Sequence, residues 1–271
     1  MLPPKGYWTG DNLGRVTSAS AAALLGKAYL YRSGIEKYYG NSSTTYYDEA
    51  AECFDEIIRG VHGDFKLVDD YDDNFRVATE NNDESILEFQ FVGDAVNTGF
   101  NPGLTNSGVW RDPRGVQPPS FIPIMPVIHQ WYMMNSLIQK DANGYTDSRM
   151  FGTLLFDDTA PEIHAKPGDE VRIFDGKRFN EYYVPTVDEN GQEVKGFGLV
   201  SAQAGKYKSA CRKGLDWTLP TVNPGNDMWL GNLRANGMNY TYIRYADVLL
   251  MYAEAVVSGG KQLTLDFLCK L

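Results

Sequence analysis

The spacing of apolar residues changes several times along this chain, and each change marks an element. Ala21, Leu24, Leu25, Ala28 and Tyr29 recur one helical turn apart, which predicts a helix that starts at Thr17 or Ser18 and ends near Gly34. A second helix is predicted over 47–59, with Ala50, Cys53, Phe54, Ile57 and Ile58 on one face and Gly60 just past its end. Residues 84–91 alternate apolar and polar side chains, the period of a short strand. Pro126 opens a third helical stripe made of Val127, Trp131, Met134 and Ile138, which stops before the turn signal Asp141-Ala142-Asn143-Gly144. Over 244–255 strong helix formers run without Gly or Pro, and apolar side chains fall on nearly every side of the wheel, so this helix is expected to be buried. Its polar exceptions, Arg244, Asp247 and Glu254, share one stripe on which Arg244 and Asp247 can pair.

Between these elements the pattern is irregular. Residues 93–126 are punctuated by Gly, Asn and Pro, and a loop of that length inside a compact domain is either functional or disordered. From 145 to 239 short extended pieces alternate with turns. One of them, Asp188-Glu189-Asn190-Gly191 between Tyr182-Tyr183-Val184 and Val194-Lys195, reads as a hairpin. The expected architecture is mainly α: a helical scaffold with a large irregular loop region and small β-hairpins. It is read as a single domain, 1–271, with a helix pair at 14–60, a loop-rich region at 61–239 containing one helix near 126–140, a buried helix at 240–258 and an atypical tail at 259–271.

Composition narrows the partners. A formal charge of −10 opposes binding to nucleic acid, where Lys and Arg must displace counterions from phosphates, and opposes an anionic membrane surface equally. Neutral ligands such as sugars remain. The chain carries 17 Tyr, 13 Phe and 5 Trp beside 27 Gly and 13 Pro, a balance that suits ordered, aromatic-rich loops on a scaffold. Cys53, Cys211 and Cys269 are far apart and form no C-x-x-C pair, so neither a disulfide framework nor a zinc ribbon is expected. No run of about 18 apolar residues is present, and the first residues, Met1-Leu2-Pro3-Pro4-Lys5-Gly6, have no signal-peptide core.

The chemistry-bearing patterns are sparse. Asp70, Asp72 and Asn74 have the alternate spacing of a calcium loop, but Phe75 stands where glycine is needed and Asn81 where the bidentate Glu is needed, so a solvated acidic turn is the better reading. His62, His129 and His164 lack metal-ligand spacing, and no nucleophile elbow or phosphate-binding loop occurs. No metal, cofactor or catalytic residue is therefore expected. A hydrolase that uses two facing carboxylates stays open as an alternative, because any acidic sequence can supply the pair. The better candidates are loop tryptophans, whose flat faces can stack on the C–H face of a pyranose while neighbouring polar groups bond its hydroxyls. Trp110 with Asn106 and Arg111 is one such platform, and Trp229 with Asn226 and Asn232 is another. Trp217 is a further candidate, and Trp131 a weaker one because it belongs to a helical stripe.

Two stretches carry a family resemblance. Leu25-Gly26-x-x-Tyr29 followed by Ala50-x-x-x-Phe54 resembles a tetratricopeptide unit, in which small residues let two helices approach and aromatics fill the gaps, although the connection is about a dozen residues longer than the consensus. The run Ile243-Arg244-Tyr245-Ala246-Asp247-Val248-Leu249-Leu250-Met251-Tyr252-Ala253-Glu254-Ala255 resembles the signature helix of the SusD/RagB family, the surface glycan-binding lipoproteins of Bacteroidetes nutrient-uptake systems. Gly14-Arg15-Val16-Thr17 followed by Ala22-Ala23-Leu24-Leu25-Gly26-Lys27-Ala28-Tyr29-Leu30 is similar to the opening of that family's third repeat helix. The resemblance implies a SusD-like fold, here incomplete at both ends, so the chain is expected to be an internal piece of a longer protein. It also implies non-catalytic glycan binding on the outward face of the outer membrane, a TonB-dependent (SusC-like) transporter as partner, and membrane attachment only through a lipid anchor that this sequence does not contain. The rival expectation from the repeat pattern is a protein-interaction scaffold, whose mark would be an open groove lined by polar and basic side chains.

Overall fold

The computed structural model describes residues 1–40, 45–91, 140–156, 163–169, 186–187, 193–194, 209–211, 239–264 and 267. The chain is mainly helical and divides into two compact units. The first comprises residues 1–69, 79–90 and 239–271, and the second residues 70–78 and 91–238.

Helix α1 (Ser18–Tyr38) starts at Thr17, whose Oγ1 accepts the Ser20 N–H at 3.3 Å while Ser20 Oγ accepts the Thr17 N–H at 3.4 Å. Its inward face is made mostly of small residues, Ala19, Ala22, Ala23, Gly26 and Ser33, with Leu30 as the large apolar side chain and Glu36 buried near its end. That ridge lies against α2 (Tyr47–Ile58), which contributes Ala50, Phe54 and Ile57, all at 1% exposure or less. The approach depends on Gly26: a Cβ there would stand 2.7 Å from Phe54 Cε1. Tyr29 is half-buried and stacks on Tyr46 at 5.6 Å.

Two expectations change here. The predicted apolar stripe of α1 is its outer one, because Ala21, Leu24, Leu25 and Ala28 are exposed, Leu25 by 49%. Leu25 is therefore not a core residue. Both faces of α1 are apolar, and close helix–helix approach selects the face with small side chains, where Phe54 can enter. The helix also runs past Gly34 to Tyr38. Gly34 is exposed with open space where a Cβ would lie, so its cost is only a helix-propensity cost of about 1 kcal/mol. The long connection is turned back by Ser33, whose Oγ donates to the Tyr29 carbonyl at 2.9 Å and accepts the Tyr46 N–H at 2.7 Å.

Strand β1 (Ser85–Phe89) forms as the alternation predicts, and α3 (Ser148–Thr153), β2 (Leu154–Phe156), β3 (Thr186–Val187), β4 (Glu193–Val194) and β5 (Ser209–Cys211) follow. The partner of β1 is β6 (Tyr240–Arg244), antiparallel, with Ser85 opposite Arg244 and Phe89 opposite Tyr240. Residues 240–244 are thus a strand, not the first turns of the helix expected over 240–258. Tyr240-Thr241-Tyr242-Ile243 is a β-branched and aromatic run, and Ile243 is buried beneath it. The helix proper, α4 (Tyr245–Ser258), buries Val248, Leu249, Ala255 and Val256 and packs chiefly on α2. Leu250 and Val257 stay exposed, so the helix is half-buried rather than enclosed. After Gly260 the tail folds back: Lys261 Nζ bonds Asp48 Oδ1 at 2.7 Å, and the buried Phe267 ring lies 4.7 Å from Tyr252.

An ion pair ties β6 to the start of β1. Arg244 Nη1 donates to Glu84 Oε1 at 2.8 Å, Glu84 Oε2 accepts the Val68 N–H at 3.1 Å, and the Glu84 carbonyl accepts the Tyr245 N–H at 2.8 Å. Asp247 meets Arg244 as expected, chiefly through the backbone: Oδ2 accepts the Arg244 backbone N–H at 2.8 Å, while the guanidinium Nε is 4.0 Å away. It caps α4 more than it neutralises Arg244.

In the second unit α3 rests on a 3-10 turn at Tyr71–Phe75, where a Cβ on Gly152 would stand 2.8 Å from Tyr71 Cδ1. The acidic run is not the solvated turn expected. Asp72 is 6% exposed, and Arg76 holds Asp72 at 2.5 Å and Asp73 at 3.2 Å. The turn at 141–144 forms, with Asp141 Oδ1 accepting the Asn143 and Tyr145 N–H groups at 2.9 Å and Gly144 at φ +82°. Within the span expected to form a hairpin, β3 and β4 pair antiparallel, Thr186 with Val194 and Val187 with Glu193, while the expected strand residues 182–184 lie outside the described residues. β2 pairs antiparallel with β5. Among the described residues no helix is long and apolar enough to cross a membrane.

Candidate functional site

The first unit carries a groove of about 740 Å³ bordered by α1 and α4, inside the size range of ligand pockets. Its existence follows from the packing just described. Because α1 turns its small residues to α2, its large ones project outward, and α4 packs on α2 beside it. The floor holds the buried Leu30 and Ile243, with Ile35, Leu250 and Met251 along the sides.

Four tyrosines line it: Tyr31, Tyr38 and Tyr39 from α1 and its end, and Tyr242 from β6. Their exposures are 64%, 83%, 74% and 40%, unusually high for large rings. Tyr38 and Tyr39 meet edge to face at 5.2 Å and 87°, so each limits the other's rotation. Lys27 Nζ lies 4.9 Å from the Tyr242 ring centre and 5.9 Å from that of Tyr31, which places an ammonium between two aromatic faces. Asp247 and Glu254 bring carboxylates from α4. The chemistry available is ring stacking with hydrogen-bond donors and acceptors beside it.

Catalysis has little support in this groove. Asp247 and Glu254 are seven residues apart on one helix, a Cα rise of about 10 Å. Among the described residues no cluster of His, Cys, Asp and Glu could hold a metal ion. His62 Nε2, just past the end of α2, lies 3.1 Å from Glu56 Oε2 in a partly buried contact. Burial pushes the Cys53 thiol up from its ordinary range, helped by Glu56 and Glu52, so it is a poor nucleophile.

The sequence-derived platform residues Trp110, Asn106, Arg111, Trp229, Asn226 and Asn232 lie outside the described residues, as do Trp131 and most of the helix expected near 126–140. Of the scaffold residues, Gly26, Ala50 and Phe54 meet at the α1–α2 contact. The groove tyrosines were not among the sequence candidates. A signal was present: Tyr31, Ile35 and Tyr38 continue the outer stripe of Leu24 and Ala28 at helical spacing, which marks a second apolar face.

Residues 169–266 match the sequence profile of the SusD family. No curated protein matches the sequence. Among solved structures, the chain is similar to a SusD superfamily protein from Bacteroides vulgatus at 22% identity and a TM-score of 0.54, over 93% of this chain and 41% of that one. A SusD homolog from Bacteroides thetaiotaomicron matches at 17% identity and a TM-score of 0.57, over 100% of this chain and 46% of that one. A laminarin-binding SusD-like protein matches at 21% identity and a TM-score of 0.51, over 94% and 46%. These likenesses establish the fold, and the chain spans less than half the length of the structures it matches.

Proposed function

We propose that this chain, a member of the SusD family, takes part in non-catalytic binding of glycans at the bacterial cell surface and in their delivery to a TonB-dependent, SusC-like outer-membrane transporter. The observation that carries this reading is the agreement between the SusD profile over 169–266 and the SusD-like fold of the whole chain. Two further features support it. A net charge of −10 suits an uncharged ligand better than a phosphate or an anionic surface. One relative of the same fold is described as binding laminarin.

In this reading Trp110, with Asn106 and Arg111, and Trp229, with Asn226 and Asn232, are stacking platforms for pyranose rings. Such stacking is worth about 1 kcal/mol beyond the area it buries, so loss of a true platform lowers affinity about tenfold or more. The test is a glycan array read beside a reducing-sugar assay, on the chain and on Trp110→Ala and Trp229→Ala. Binding without turnover, weakened in at least one variant, is the expected result. Turnover of any bound glycan overturns the non-catalytic reading.

A further inference from the structure

We propose that the seam between α2 and α4 is a docking site for a peptide segment with an aromatic anchor and a basic residue, and that residues 261–267 fill it in cis as a releasable latch.

The segment reaches the seam through two glycines. Gly259 runs so close to α2 that a Cβ would stand 3.3 Å from Tyr47 Cβ and 3.4 Å from Asp48 Oδ1, and Gly260 turns the chain at φ +79°. Beyond this hinge the Lys261 N–H donates to the Val256 carbonyl at 2.9 Å, and Lys261 Nζ bonds Asp48 Oδ1 at 2.7 Å. Thr264 Oγ1 accepts the Phe267 N–H at 3.3 Å, and the Phe267 ring lies 4.7 Å from Tyr252 of α4. Tyr252 itself faces α2: burial holds its phenol above the ordinary range, and Asp55 and Arg59 both act on it.

The way the segment is held marks it as a latch. Phe267 is 6% exposed and joins the core cluster, with Leu263 packed beside that cluster, whereas Lys261, Gln262 and Thr264 are exposed. One ring seated deeply among solvated neighbours is how a peptide anchor fills a pocket. A segment with so few buried contacts is also among the first to open.

The seated segment shows what chemistry the seam accepts. An aromatic ring fills the site beside Tyr252, and an ammonium meets α2 at Asp48. Asp48, Glu52 and Asp55 recur at helical spacing, with Glu49 next to them, and Glu49 and Glu52 are exposed. Added positive charge on an incoming segment is therefore favoured and negative charge repelled. The exposed Lys261–Asp48 pair contributes little by itself, so the ring carries the affinity and the charges the selectivity.

The experiment uses the full chain and a fluorescein-labelled peptide of residues 259–271, with Cys269→Ser, read by fluorescence anisotropy. In the parent the tethered segment competes at roughly millimolar effective concentration, so Phe267→Ala, which vacates the site, should bind the peptide at least about tenfold more tightly than the parent does. A peptide carrying Phe267→Ala should not bind. Asp48→Lys, placed in the vacated chain, should weaken binding about two- to fivefold, and a peptide with Lys261→Glu should restore it. If Phe267→Ala does not fold, Phe267→Leu takes its place. Hydrogen exchange on the parent supplies the second measurement: the Lys261 amide should exchange at least about tenfold faster than those of Val248 and Leu249, by local opening. Equal protection of all three makes the segment a permanent part of the core and overturns the proposal, as does peptide binding no tighter in the vacated chain than in the parent. A concentration-dependent dimer of the parent that Phe267→Ala abolishes also overturns it, in favour of segment exchange between two copies of this chain.

Discussion

Replacing Glu84 tests how the first unit holds its strand pair. The Glu84 and Arg244 side chains are 4% and 19% exposed, and the carboxylate serves two donors at once, Arg244 Nη1 and the Val68 N–H. Glu84→Ala removes the carboxylate that bonds Arg244 Nη1 and leaves the Val68 N–H without this acceptor. Breaking a buried pair in this way costs about 3–5 kcal/mol, and Arg244's residual exposure argues for the lower end, about 3 kcal/mol. At this chain length that corresponds to a fall in Tm of roughly 6–12 °C. Glu84→Gln keeps one acceptor oxygen, puts a non-accepting amide NH2 in place of the other and loses the charge, so about 2 kcal/mol is expected. Asp247→Ala removes a helix-capping acceptor and should cost about 1 kcal/mol. Urea unfolding followed by circular dichroism supplies these values. A double-mutant cycle between Glu84→Gln and Arg244→Met isolates the pair, with an expected coupling of about 2 kcal/mol. A coupling below roughly 0.5 kcal/mol would show that Glu84 acts through its backbone neighbours and that the ion pair is incidental.

Other outcomes follow from the same packing. Phe54→Ala should destabilise by about 3–5 kcal/mol, whereas Leu25→Ala should cost under about 1 kcal/mol because that side chain already meets water; chemical denaturation reads both. Gly26→Val should be among the worst single changes in α1, since its Cβ would stand 2.7 Å from the Phe54 ring; loss of cooperative unfolding is the readout. Cys53 should alkylate with iodoacetamide more slowly than a free thiol at pH 8, measured on its tryptic peptide, because burial raises its pKa. The hydrogen bonds from Arg149 hold the Asp147 carboxyl below its ordinary range. Its contribution to stability is therefore present above the unfolded carboxylate pKa of about 3.9 and is lost as pH falls through the lower folded value, so the stability gap between the wild type and Asp147→Asn should close in acid.

Much of the scaffold was legible in the sequence because its signals are local. Thr17 with Ser20 is a self-contained cap, the single apolar stripe of α2 leaves one way to face the core, and Asp141-Ala142-Asn143-Gly144 closes a turn with its own side chain. What was missed depends on distant partners. Both faces of α1 are apolar, and only Phe54, arriving from α2 beside Gly26, selects the face of small residues. Residues 240–244 become a strand because β1, some 155 residues earlier, offers an edge; read locally they continue into a strong helix former. Asp72 leaves solvent because Arg76, four residues on, reaches back to it. The groove tyrosines were hidden for a related reason: which face of α1 looks outward is decided by packing, so their role appears only once α4 lies beside them.

The account turns on glycan capture without turnover. Isothermal titration of the chain with a panel of neutral oligosaccharides, laminarin fragments included, with chromatographic analysis of the cell contents afterwards, measures both halves together. The account predicts saturable binding of at least one neutral glycan and recovery of that glycan at its original length. Shortened products, or heat changes no larger than dilution across the whole panel, would contradict it.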